Sequence, residues 1–264
     1  MRRILLFVLL LPAFIHAQDT ISGSVSAGGQ VLSGNFKMYT LNASTDLHGR
    51  RYKHDWAVSP LFRYTNNTGV LKEREAYCTE AFFYRFHPHW KFLVFSEQEH
   101  SYLRKTLFRA NVGAGMSYKF MHTKGVLIEM SEAILSDFYL SLTNVKRDYF
   151  SIRPSTRLKI RIESYPVRFE TINMVQPEIA GWQMEGHYGI IDQKNNINFR
   201  SITTLDVAIK KGFSIGTRLD FIYQTYPHLV DATIKPYDLT FIFYLKYQWR
   251  DVVPKGRKQV VVEN

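Results

Sequence analysis

The chain has 264 residues, with 34 Lys and Arg against 23 Asp and Glu, a formal net charge of +11 and one cysteine, Cys78. One cysteine excludes an internal disulfide framework, and no stretch after the N-terminal segment approaches the roughly 18 apolar residues of a membrane helix. For an exported chain, that charge points to acidic lipid headgroups or small anionic solutes as partners, and away from nucleic acid.

The first segment reads as an export signal. Arg2 and Arg3 precede the apolar run Ile4–Phe14, and Ile15-His16-Ala17 stands before Gln18-Asp19-Thr20. A basic start, a short apolar stretch and a small residue at the cut describe a cleaved signal peptide over 1–17. The run is too short to span a bilayer, which takes about 20 residues. Removing it leaves 247 residues (264 − 17) and a net charge of +9, from 32 basic residues (34 − 2) against 23 acidic. No Pro/Ser/Gly-rich linker divides the remainder. One domain is expected over 18–249, followed by a basic polar tail at 250–264.

Period-two alternation, the signature of a strand with one apolar face, recurs in about twelve segments. They centre on 22–32, 36–47, 52–64, 74–86, 89–99, 106–120, 125–135, 149–163, 165–176, 197–210, 212–226 and 234–249. The segments at 36–47, 74–86 and 125–135 alternate poorly, and their facing is left open. In 106–120, Phe108, Val112, Met116, Tyr118 and Phe120 oppose Arg109, Asn111, Ser117 and Lys119. In 149–163, Phe150, Ile152, Leu158, Ile160 and Ile162 oppose Arg153, Arg157, Lys159 and Arg161, and Arg168 follows on the next segment. In 197–210, Phe199 and Leu205 oppose Arg200 and Asp206; in 212–226, Phe213, Leu219 and Phe221 oppose Arg218 and Asp220. The final segment sets Leu239, Phe241, Phe243, Leu245, Tyr247 and Trp249 against Asp238, Thr240, Tyr244 and Lys246.

The connections sharpen this pattern. His48-Gly49-Arg50-Arg51, His87-Pro88, Met121-His122-Thr123-Lys124, Ser164-Tyr165 and Lys211-Gly212 are tight. Those at 65–73, 100–105, 136–148, 177–196 and 227–233 are longer, whereas the first hairpin, at Ser33-Gly34-Asn35, is short. Short turns alternating with long loops, and strands of about 9–11 residues or more, fit an antiparallel transmembrane β-barrel of about twelve strands, with short periplasmic turns and longer outer loops. Phe86, Trp90, Tyr118, Phe120, Phe213, Tyr247 and Trp249 fall near the short-turn ends, as an interfacial girdle would. On this reading Phe199, Leu205, Phe213, Leu219, Phe221, Leu239, Phe241, Phe243, Leu245 and Trp249 face lipid. Arg153, Arg157, Lys159, Arg161, Arg168, Arg200, Asp206, Arg218, Asp220 and Asp238 line the lumen. The alternative is a secreted soluble β calyx, whose apolar faces would point inward.

Three stretches carry a family resemblance. Ser33-Gly34-Asn35, Gly113-Ala114-Gly115-Met116-Ser117-Tyr118 and Lys235-Pro236-Tyr237-Asp238-Leu239-Thr240 resemble the salt-induced outer-membrane β-barrel family, a bacterial domain of unknown function, over about residues 21–249. The resemblance implies a bacterial outer-membrane address and brings no catalytic residue. The ending Tyr247-x-Trp249 looks like the terminal signal read by the outer-membrane assembly machinery.

Catalytic and metal constellations are weak. His100-Ser101 is the nearest pair to a nucleophile and its base, but adjacent residues of an extended chain point apart. Asp137, Asp148, His187, Asp192, His228 and Asp231 lie toward the long loops without signature spacing. His87-Pro88-His89 offers two imidazoles and no third ligand, and Cys78 suits a small packing residue. No cofactor is expected. The expected function is a non-enzymatic barrel, either a small pore biased toward anions or an envelope-structure protein; a barrel-embedded hydrolase acting on lipid or peptide is the alternative. The basic stripe Arg153, Arg157, Lys159 and Arg161 has two readings. It forms an anion-favouring wall, or it is ion-paired with Glu163, Glu170, Asp206, Asp220 and Asp238, the usual fate of buried charge.

Overall fold

The structure is a computed structural model that describes residues 20–32, 38–67, 72–102, 105–141, 149–183, 196–225 and 237–252. The export signal, Ser33-Gly34-Asn35, the loop residues Asp148, His187, Asp192, His228 and Asp231, and the tail from 253 lie outside the described residues, as does the side chain of Asp238. Thirteen strands follow in order: β1 Thr20–Leu32, β2 Met38–Arg51, β3 His54–Asn67, β4 Lys72–Arg85, β5 Trp90–Ser101, β6 Thr106–His122, β7 Val126–Ser141, β8 Tyr149–Ser164, β9 Val167–Pro177, β10 Ala180–Gln183, β11 Ile197–Lys210, β12 Phe213–Gln224 and β13 Tyr237–Val252.

Each strand pairs antiparallel with its neighbours, and β13 returns to β1 through the register Thr20↔Val252 to Gly29↔Phe243. The sheet is therefore closed. β9 and β10 share one wall position, since β9 pairs with Thr156–Ser164 of β8 and β10 with Tyr149–Ile152. The wall is a twelve-position antiparallel barrel. Closure leaves no open edge around the wall except the far side of the short β10, which pairs only with β8, so the backbone groups of the long strands find partners within the wall.

The alternation in the sequence becomes two faces. On β13, Phe243 is 59% exposed on the outward face and Ile242 is 2% exposed inside. Leu61, Leu93, Ala133, Leu135, Tyr139, Ile222 and Ile242 are the buried apolar residues among those described, and they are outnumbered by buried polar and charged groups. A barrel of this size is filled by its own side chains. At the short-turn end the outward face carries aromatic contacts: Trp90 with Tyr118 at 4.7 Å between ring centroids, Tyr118 edge-on to Phe120 at 4.9 Å, and Phe213 with Tyr247 at 4.8 Å. The tight turns there use special backbone geometry. Gly212 takes φ +82° between β11 and β12, and Tyr52 takes φ +50° between β2 and β3.

Three features differ from the sequence reading. β7 extends to Ser141, and β4 and β5 reach Lys72 and Ser101, so the connections after β3 and β5 are shorter than their polar sequence suggests. β10 lies within a stretch read as loop. β13 runs to Val252, carrying Arg250 and Asp251 of the expected tail into the seam with β1.

Candidate functional site

The interior is built from inward side chains of every strand, and it has two tiers. In the tier nearer the long loops, Arg63 on β3 crosses the barrel. Its guanidinium meets Glu75 on β4 at 2.9 Å and Asp220 on β12 at 3.2 Å, while Nε donates to Asn42 Oδ1 on β2 at 3.0 Å. β3 and β12 are separated in the wall by β2, β1 and β13, so this side chain spans the interior. Arg218 holds the other oxygen of Asp220 at 2.8 Å. Arg200 on β11 lies with its guanidinium 4.0 Å from the ring centroid of Tyr77 on β4. Those strands are half the ring apart.

The same tier continues around the wall. Arg109 grips Asp137 with two bonds, at 2.9 and 2.5 Å. Arg153 on β8 reaches Asp137 at 3.1 Å and Glu178 at 2.8 Å, and donates to Ser151 Oγ at 3.0 Å. Arg153 is 1% exposed. Paired, multiply bonded charges of this kind are how a dry interior tolerates ions. Between these groups remains a cavity of about 30 Å³, lined among others by Tyr77, Glu97, Glu99, Arg109, Arg200 and Gln224. That space suits water and nothing larger.

The tier nearer the short turns is looser. Lys159, Arg161 and Arg168 converge on one carboxylate, Glu170, at 3.1, 2.6 and 3.2 Å. Register explains the meeting: Arg161 pairs with Glu170 across β8 and β9, just above the Tyr165-Pro166 turn. Lys246 reaches Asp206 at 3.3 Å, and the Tyr244 hydroxyl donates to the other oxygen of Asp206. Gly216 makes room for this contact, since a Cβ there would stand 2.6 Å from both Asp206 Oδ1 and Tyr244 Cζ. On the other side, Glu129 accepts from Lys91 and from Ser117, both at 2.8 Å. The side chains of Lys159, Arg161 and Arg168 are 20–30% exposed, against 1–8% for the paired arginines Arg63, Arg109 and Arg153 of the other tier.

Of the residues singled out in the sequence, Arg153, Arg157, Lys159, Arg161, Arg168, Arg200, Asp206, Arg218 and Asp220 stand on the inward face. Phe199, Leu205, Phe213, Leu219, Phe221, Leu239, Phe241, Phe243, Leu245 and Trp249 stand on the outward face, as the pairing registers place them. Glu170, Asp206 and Asp220 are ion-paired. Glu163 is not among the described ion pairs; it sits exposed at the turn end, its backbone N–H donating to the Gly125 carbonyl. Arg157 makes no ion pair among the described residues. Sequence reasoning missed Arg63, Glu75, Lys91, Glu129 and Glu178. Glu75 and Glu129 lie on β4 and β7, whose faces are mixed. Glu80 and Glu132 point outward there, Thr156 donates to Glu132 at 2.8 Å, and Phe83 and Leu135 point inward.

His100 and Ser101 stand on opposite faces. His100 Nδ1 lies 2.7 Å from the Leu107 carbonyl on the outward side, and Ser101 is fully buried inside. His87 and His89 are exposed at a short turn with ring centroids 5.8 Å apart. Among the described residues no group of three His, Cys, Asp or Glu side chains could hold a metal. Cys78 is a half-buried free thiol on the outward face of β4, with Glu80 two residues away on the same face.

Residues 25–162, just over half of the chain, match a family described as "Protein of unknown function, DUF481". The chain belongs to the DUF481 family. No curated protein matches this DUF481 chain in sequence. Among solved structures it is similar to the NanC porin, with a TM-score of 0.50 and 9% identity, covering 86% of this chain and 100% of that one. It is equally similar to an outer membrane channel from Pseudomonas putida F1, with a TM-score of 0.50 and 9% identity over 89% of this chain and 96% of that one. At such identity the likeness concerns fold. The DUF481 chain has the closed antiparallel β-barrel fold of outer-membrane porins and channels.

Proposed function

We propose that the chain is an integral outer-membrane barrel that serves as a narrow channel, occluded at rest by its own side chains. The short turns face the periplasm, the apolar outward face meets lipid, and the segment 1–17 directs export. The β13 ending Tyr247-x-Trp249 presents the chain to the assembly machinery. The observation that carries this reading is the crossing of the interior by Arg63 to Asp220 and by Arg200 to Tyr77. A solute larger than water has to break these contacts before it passes. The role is non-enzymatic, since the only adjacent His-Ser pair points to opposite faces.

Planar-bilayer recording tests the proposal. The wild-type barrel is expected to give small, intermittent conductance, and replacing both Arg63 and Arg200 by Gln is expected to raise it and lengthen open times. Steady wild-type conductance on the scale of a water-filled porin refutes occlusion. Silence in both proteins refutes the channel and leaves an envelope-structure role.

A further inference from the structure

The inward charge is unevenly matched near the short turns. On the inward face of β8 and β9 near these turns, Arg157, Lys159, Arg161 and Arg168 stand with Glu163 and Glu170, giving four cations against two carboxylates and a surplus of +2 (4 − 2), while Lys246 with Asp206 and Lys91 with Glu129 pair off on other strands. Three of the cations converge on Glu170 alone. Arg157 lies within electrostatic reach of Lys159 and makes no ion pair among the described residues.

The opposite wall is shaped to complement this. β2 lies half the ring away from β8, and its inward face carries His48, which is within electrostatic reach of Lys159, Arg161 and Glu170. Beside it stand short hydroxyls: Ser24 donates to Asp46 at 3.1 Å, and Ser26 and Ser44 share a 2.6 Å bond. Small side chains facing long basic ones leave space between them, and the partial exposure of Lys159, Arg161 and Arg168 shows that water reaches it. Above, the arginine tier around Arg63 and Arg153 closes the way to the long loops. We read this water-reached space between β8 and β2 as a vestibule on the short-turn side.

We propose that this vestibule is a binding site for a divalent oxyanion of the phosphate or sulfate class, held by Arg157 together with Lys159, Arg161 and Arg168. A charge of −2 matches the surplus. A guanidinium presents paired N–H donors that match two oxygens of a tetrahedral oxyanion. Glu170 occupies three of the cationic heads in the absence of the anion and competes with it for them. Serine hydroxyls and His48 face the remaining oxygens. The site rests on the reading above that the long-loop half is closed, which makes the vestibule a place of retention.

The test is isothermal titration of the full chain, refolded in phosphate-free detergent, with inorganic phosphate, sulfate and chloride at constant ionic strength. One saturable site per chain is expected for phosphate and sulfate, with chloride at least about tenfold weaker, the scale of one charge-assisted hydrogen bond. Arg157→Gln, which breaks no ion pair of the fold, is expected to weaken phosphate about tenfold while the heat-dependent gel shift of the folded barrel stays unchanged. Glu170→Gln raises the surplus and is expected to leave phosphate bound at least as tightly. No saturation by either oxyanion, equal binding of chloride, or unchanged affinity in Arg157→Gln overturns the site. The bilayer recording is a separate readout. A barrel that conducts without retaining phosphate refutes the site alone, and one that retains phosphate without conducting refutes the channel alone.

Discussion

Replacing Arg63 by Met removes the charge that ties β3 to the far wall while keeping a side chain of similar reach. Arg63 is 4% exposed, and its partners Glu75 and Asp220 are each 2% exposed. The change takes one cation from Glu75 and one of two from Asp220, which keeps Arg218 at 2.8 Å. Removing one partner of a buried ion pair costs about 3–5 kcal/mol, because the remaining charge has lost its compensation. The retained Arg218 places the expectation near the lower end, about 3 kcal/mol. Adding Glu75→Gln to Arg63→Met removes the carboxylate that has lost its Arg63 bond and is expected to recover part of the loss, as neutral replacements of buried pairs do. Urea unfolding of the barrel in phospholipid vesicles, followed by tryptophan fluorescence, measures both. A single-variant loss below about 1 kcal/mol would put Arg63 among exposed surface pairs and refute the bridging role. A double variant less stable than the single one would refute the electrostatic account of the loss.

Phe243→Arg is expected to cost about 2–4 kcal/mol, the penalty for Arg on the lipid face near mid-membrane, and to reduce insertion; Tyr244→Arg, beside Asp206 inside, is expected to insert. The opposite result in gel-shift insertion assays would invert the facing of β13. Glu132 points outward from the middle of β7, so Glu132→Leu is expected to stabilise the vesicle-embedded barrel by about 1 kcal/mol, less than the figure for a basic residue. It should raise the urea midpoint without changing the slope. Gly216→Ala places a methyl 2.6 Å from Asp206 Oδ1 and Tyr244 Cζ. Overpacking of that kind costs about 1–3 kcal/mol, and an unchanged urea midpoint would mean that the Tyr244–Asp206 contact moves aside freely.

Facing was legible wherever one side of a strand is consistently apolar. β8, β11, β12 and β13 alternate cleanly, so a two-residue period assigned each side chain to a face. β4 and β7 did not yield to the same reasoning because each breaks the rule in both directions, with Glu80 and Glu132 outward and Phe83 and Leu135 inward. The stripe's meeting with Glu170 was within reach because β8 and β9 join in a two-residue turn, which fixes the register of Arg161 and Glu170. The bridge from Arg63 to Asp220 was not, since 157 residues separate them. Periodicity states which way a side chain points, and only ring closure states what it meets. The connections after β3 and β5 looked long for a related reason: Thr65 and Ser101, read as loop, are buried polar residues on the inward faces of β3 and β5.

Thr20 and Val252 are register partners at the end of the barrel that carries the tight turns β2–β3, β4–β5, β6–β7, β8–β9 and β11–β12. As a ring, the wall therefore has no natural starting strand. A short peptide from 252 to 20 would act as one more turn of the existing kind, and cutting any connection at the opposite end would give the same ring with a new origin. What the native order sets is timing. Until β13 is made and reaches β1, both present rows of unsatisfied N–H and C=O groups along an open edge. The ring reaches a state that lipid can accept only at its final pairing, so the wall must be sheltered as a whole until the seam shuts.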